Sequence, residues 1–139
     1  MNHIATSFNK YNHIFLFHAF VLIGGLLPFP FASVLLAWFY WLYKGGRKNR
    51  ELSEQACRTL NFQFLIQCIS FLSGTIMCMH SIQAMANGGV FDYTWLTYQL
   101  FLIVPACILY PSFILIYMGI TRKYYHFYPK TIRLFSRNE

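Results

Sequence analysis

The sequence predicts an all-α integral membrane protein with three to four hydrophobic helical segments and one amphipathic surface helix. Three observations carry that reading. The first is composition: of 139 residues, 57% are hydrophobic, 20% aromatic and only 11% charged, against roughly 45–50% apolar and about 25% charged in ordinary soluble domains. The second is a pair of long apolar runs, 60–86 and 95–120, that contain no Lys, Arg, Asp or Glu. At about 1.5 Å per residue each can cross a hydrocarbon core of roughly 30 Å. The third is the placement of charge. All eleven Lys and Arg residues lie outside these runs, chiefly in the connection 44–59 and the tail 121–139. That is the asymmetry of a membrane protein whose basic segments stay in the cytoplasm, so the formal charge of +7 points to anionic headgroups rather than nucleic acid.

Taken in order, the first hydrophobic segment, 14–43, is broken by Gly24, Gly25, Pro28 and Pro30. Proline removes a backbone donor and disfavours helix in the residue before it. One kinked, steeply tilted helix or a hairpin of two half-length helices would both accommodate this pattern, and they put Met1 on opposite sides. Two prolines and two glycines within seven residues favour the hairpin. The run is too long for a signal-peptide core and lacks a small-residue cleavage site, so a retained N-terminus is expected.

The basic connection follows, with Lys44, Arg47, Lys48 and Arg50 as headgroup contacts. Asn49 is a suitable N-cap, and Leu52, Ala56 and Leu60 recur at i, i+4 and i+8. This predicts an amphipathic helix lying at the membrane surface before the span 60–86 begins. The loop 87–94, "NGGVFDYT", is turn-forming and faces outward. After the second span, 95–120, the tail adds Arg122 and Lys123 at the headgroups. Tyr124, Tyr125 and Tyr128 would form an interfacial aromatic belt. The C-terminus is then cytoplasmic.

Within the span 60–86, polar and small residues fall on one line: Thr59, Gln63, Gln67, Ser70, Gly74, Cys78 and Ser81. Their spacing averages about 3.67 residues, the natural period of a helix, so they share a face. Small residues let helix backbones approach in a bilayer, and hydroxyls and amides hydrogen-bond across. The seam therefore predicts a helix-packing surface. Asn61 lies off this face, near water or a neighbouring loop. Pro105, Ser112 and Gly119 recur every seven residues on the last span and would present it with a matching small-residue side.

Chemistry is sparse. Glu51, Glu54, Asp92 and Glu139 are the only carboxylates and supply no buried acid–base pair. His13 and His18 are five apart, and Cys78 and His80 two apart, spacings that do not place ligands on one helical face. No metal, no cofactor and no catalytic residues are expected. A proton path through His18 and His80 would need charged companions that the spans lack.

The stretches "HAFVLIGGLLPFPFASVLLAWFYWLYK", "EQACRTLNFQ" and "YYHFYPKTIRLF" together resemble a family of small bacterial multi-pass membrane proteins of unknown function. That family is described as similar to the small channel-like subunit of the chloroplast inner-envelope protein import machinery. The matching positions are His18 (or His13), Pro28, Trp38 (or Trp41), Leu60, Asn61, Phe62 and Gln63, then Tyr128, Pro129, Ile132 and Arg133. Family members often carry a glycine where this chain has "TRKYY". The resemblance implies a bacterial inner-membrane location and assigns no activity. The expectation is a non-enzymatic subunit or accessory factor of a membrane assembly, translocation being one candidate. A small oligomeric channel or transporter is the alternative, and the partners in either case are the bilayer and other membrane subunits or copies of this chain.

Overall fold

A computed structural model describes residues 2–27, 29–44, 50–124, 127–129 and 135. Among these residues every regular element is helical: α1 (Asn2–Leu26), α2 (Ala32–Tyr43), α3 (Arg50–Ala86) and α4 (Thr94–Thr121). The last is α-helical over Thr94–Ile103 and Tyr110–Thr121, with a π-helical turn over Val104–Leu109 between them. Helices α3 and α4 are long and apolar enough to cross a membrane.

Helix α1 starts well before the apolar run, because nothing between Asn2 and Ile14 breaks a helix. It also runs straight through Gly24 and Gly25. The break falls beyond them, where Pro30 lacks an N–H and Phe31 adopts left-handed backbone angles, φ 62° and ψ 6°. For a residue with a Cβ that conformation costs roughly 1–2 kcal/mol. The Phe31 ring is held against Phe64 and Phe71 of α3, with centroids 5.5 and 6.3 Å away. Pro28 lies outside the described residues. From this turn α2 returns along α1, with Phe20 stacked on Tyr40 at 4.9 Å and His13 Nδ1 3.2 Å from Tyr40 Oη. Of the two arrangements open from the sequence, the helices form the hairpin.

Helix α3 is continuous over 37 residues, about 55 Å at the standard rise. No separate surface helix precedes the span, and the expected amphipathic segment is instead the first three turns of α3. The physical reason is twofold: no Gly or Pro interrupts Arg50–Ser73, and the stripe Leu52, Ala56 and Leu60 has a protein partner, being at most 1% exposed. Those residues join Ile14, Phe17 and Val21 of α1, Val34, Ala37 and Trp41 of α2, and Ile114 and Met118 of α4 in one core. Arg58 stays on the outer side, donating to Glu54 at 2.7 Å.

The tail closes this core. Tyr128 is 1% exposed, stacks on His18 and meets Phe62 at a tilt and Tyr110 edge-on, so it belongs to the interior and not to an interfacial belt. Tyr110 donates to the Phe127 carbonyl, and Tyr11 donates to the Met118 carbonyl at 2.5 Å.

Away from the core the architecture thins to two helices. Phe71, Leu72, Ile76, Ile82 and Met85 of α3 and Leu96, Leu100 and Phe101 of α4 are exposed. A contiguous apolar surface of this kind is rare on a monomer that lives in water. The α3–α4 connection is fastened by Asp92, which accepts from Thr94 N at 2.8 Å and Thr94 Oγ1 at 2.9 Å. These bonds favour the ionised carboxylate and hold its pKa below the usual Asp value. A depressed folded-state pKa contributes stability above the unfolded value of about 3.9, lost as pH falls through the folded one. Asp92→Ala is therefore expected to lower the melting temperature slightly at neutral pH, the gap from wild type closing in strong acid. Parallel thermal scans across pH check this.

Candidate functional site

The seam of α3 is laid against the chain's own helices. Gln63 is fully buried and bonds to α4 twice: its Nε2 donates to the Ala106 carbonyl at 2.9 Å, and Cys107 Sγ donates to its Oε1 at 3.1 Å. The local sequence explains why that carbonyl needs a partner. In the π turn each N–H bonds five residues back, as Tyr110 N does to the Pro105 carbonyl. The Ala106 carbonyl would then be served by residue 111, which is a proline and has no N–H. Gln63 supplies the missing donor, which is why an amide is retained in "LNFQ" at a depth where an unpaired one costs roughly 2–7 kcal/mol.

One turn on, Gln67 Nε2 donates to Ser33 Oγ at the start of α2 and lies 3.8 Å from Cys107 Sγ. Ser70 Oγ donates to Gln99 Oε1, while Gln99 Nε2 returns a bond to the Ser70 carbonyl at 3.0 Å and another to Ser73 Oγ at 3.2 Å. Gly74 makes room for this amide: a Cβ there would sit 2.9 Å from Gln99 Nε2. Cys78 is half-buried. Ser81 Oγ donates to the Asp92 carbonyl at 3.0 Å, tying the seam's outer end to the loop. At the inner end Thr59 is fully buried, its hydroxyl without a partner.

The face of α4 that meets the seam is not the one expected from the sequence. Gln99, Ala106 and Cys107 face α3, whereas Pro105 and Gly119 are exposed and a Cβ on Gly119 would meet nothing within 4 Å. A count of sevens finds a line of small residues but not the side it faces, and the line that meets α3 is the neighbouring one through Gln99 and Ala106.

The two glycines of α1 mark a three-helix crossing. A Cβ on Gly24 would lie 2.6 Å from Ser33 N, and one on Gly25 would overlap the Cys107 carbonyl. Beside this crossing lies a cavity of about 650 Å³, within the range of roughly 300–1,000 Å³ that small-molecule sites occupy. The tip of the α1–α2 hairpin forms its floor, and α3 and α4 form its walls.

Of the remaining expected positions, His18 is wholly buried with neither ring nitrogen hydrogen-bonded. It is caged by edge contacts to Phe17 at 5.6 Å and Phe127 at 6.1 Å and by stacking on Tyr128 at 5.9 Å. Trp41 is buried and Trp38 half-buried. Leu60 and Phe62 pack in or against the core, and Pro129 is exposed. Asn61 binds tail backbone from both ends of its amide: Phe135 N donates to Oδ1 at 2.7 Å, and Nδ2 donates to the Phe135 carbonyl at 3.1 Å. Asn61→Leu is expected to release this strap, removing two bonds worth about 0.5–1.5 kcal/mol each. Faster limited proteolysis of the tail, with α3 and α4 still resistant, is the readout.

Lys44, Arg50, Arg122 and Lys123 are exposed. Arg47, Lys48, Ile132 and Arg133 lie outside the described residues, as does Tyr125. Among the described residues no group of three His, Cys, Asp or Glu side chains converges. The positions missed from sequence were Gly24, Gly25, Gln99 and Cys107. Gln99 had a legible signal, as the one amide in its apolar run. Compared with known protein families, curated proteins and solved structures, the chain matches none.

Proposed function

We propose that the protein is a non-enzymatic multi-pass membrane protein that works by binding other membrane helices, as a subunit or accessory factor of an assembly. A bacterial inner membrane with the tail on the cytoplasmic side suits its charge distribution, and the family resemblance makes a translocation assembly one candidate. The observation that carries the reading is the division of labour between surfaces. Every seam position from Gln63 to Gly74 is engaged by α2 or α4, so a partner is met elsewhere. The face of α4 around Gly119 is open, with Phe113, Ile116 and Ile120 exposed beside it. A small residue in an apolar surface lets a second helix approach closely.

Extraction of the tagged protein in mild detergent at native expression, followed by mass and identification of co-purifying chains, tests this. A stoichiometric partner that is lost in Gly119→Leu is the expected result, and it comes without loss of the fold because the substitution meets open space. A pure homo-oligomer would favour the second reading, a small channel or transporter, which the cavity beside Gln67 and Ser70 brings into consideration. That reading needs water on the seam. A Ser70→Cys thiol unreactive to aqueous reagents would count against it.

A further inference from the structure

We infer that the cavity between the hairpin tip and the outer halves of α3 and α4 holds the acyl chain of a membrane phospholipid. The inference rests on the membrane reading above and adds a specific site to it. The hairpin stops short: α2 has 12 residues and α3 has 37, so beyond Phe31 two long helices continue without a third to fill the space between them. What remains is the cavity of about 650 Å³.

Its chemistry selects the occupant. Most polar groups along its wall are already committed to one another, Gln67 Nε2 to Ser33 and Ser70 to both ends of the Gln99 amide, which leaves Gln67 Oε1 and Trp95 Nε1 as buried lining atoms without a partner. A sugar, an amino acid or an ion would find few free partners there and would be desolvated without compensation. The rest of the lining is apolar, including Ile103, Cys78 and the Trp95 ring. Leu27, Phe29, Phe71 and Met79 of the lining are exposed, and Phe71 and Met79 fall within the apolar run 60–86. The cavity therefore opens where hydrocarbon surrounds the protein, and an acyl chain enters without crossing a polar layer.

The test uses the full chain in vesicles of phosphatidylethanolamine and phosphatidylglycerol containing a phospholipid with a mid-chain diazirine, irradiated and mapped by mass spectrometry. Adducts on Cys78, Trp95 and Ile103, several-fold enriched over the outer-face residues Ile82 and Leu100, are the expected result. Thr75→Trp, at the cavity mouth, is expected to reduce them several-fold while leaving the outer-face adducts unchanged. Adducts spread over Leu72, Ile82 and Leu100 but missing from the cavity would overturn the site and leave the membrane reading standing. No adducts at all would overturn both. Cavity labelling by a diazirine free fatty acid, with none from the phospholipid, would overturn the choice of occupant.

Discussion

Gly25→Ala is expected to destabilise the protein by about 2 kcal/mol or more, and Gly25→Leu to prevent the helices from assembling. In an isolated helix the first change would be favourable, since alanine exceeds glycine in helix propensity by roughly 1 kcal/mol. Gly25 lies in a regular helix with no positive φ, so no backbone demand explains its presence. The crossing decides the sign. The atom a Cβ would meet is the Cys107 carbonyl oxygen, part of a backbone that cannot rotate away as a side chain can. Overpacking in a core costs typically about 1–3 kcal/mol, occasionally more, and is worst where the neighbour is rigid. Gly119→Ala is the matched control, because its Cβ would meet nothing within 4 Å. Unfolding of both variants in mixed detergent, followed by helical circular dichroism, should move in opposite directions. A Gly25→Ala protein as stable as wild type would mean that α1 and α4 do not touch at this point.

Gln63→Leu is expected to cost about 1–3 kcal/mol, the penalty of leaving a buried carbonyl and its companion thiol unpaired. The stronger test is its coupling to Pro111. If Gln63 stands in for the N–H that Pro111 lacks, Pro111→Ala restores an internal donor and relieves the dependence on the amide. The four proteins of the double-mutant cycle should therefore be non-additive: the Gln63→Leu penalty shrinks by about 1 kcal/mol in the Pro111→Ala background, within the range of couplings between contacting residues. Additive losses would show that the amide and the proline act separately. The nearest comparison within the chain is Gln67, whose donor goes to a side chain, Ser33. Its replacement should show no coupling to Pro111.

Part of the site is legible in the sequence. The seven residues from Thr59 to Ser81 share a face by helical periodicity alone, and that local property is legible in any sequence with one dominant period. Their partners were not legible. Gln63 and Ala106 are 43 positions apart, Gln67 and Ser33 are 34 apart, and Ser70 and Gln99 are 29 apart. No spacing rule connects positions that meet only after four helices have packed. The glycine pair reads as a helix breaker because glycine has two uses, loosening a backbone and admitting a neighbour, and local sequence does not separate them.

By itself the sequence determined the solvent preference of each segment, the helical state of the chain and the face on which the seam lies, because hydropathy, charge and a 3.6-residue period act over neighbouring residues. Only the tertiary structure decided the rest. It joined the expected surface helix to the span, since Leu52, Ala56 and Leu60 found a protein partner. It drew Tyr128 inward against His18, and it set α4 so that Gln99, Ala106 and Cys107, not Pro105 and Gly119, face the seam. Each of these outcomes depends on which surface a residue meets, a free-energy difference between alternative contacts that no single segment contains.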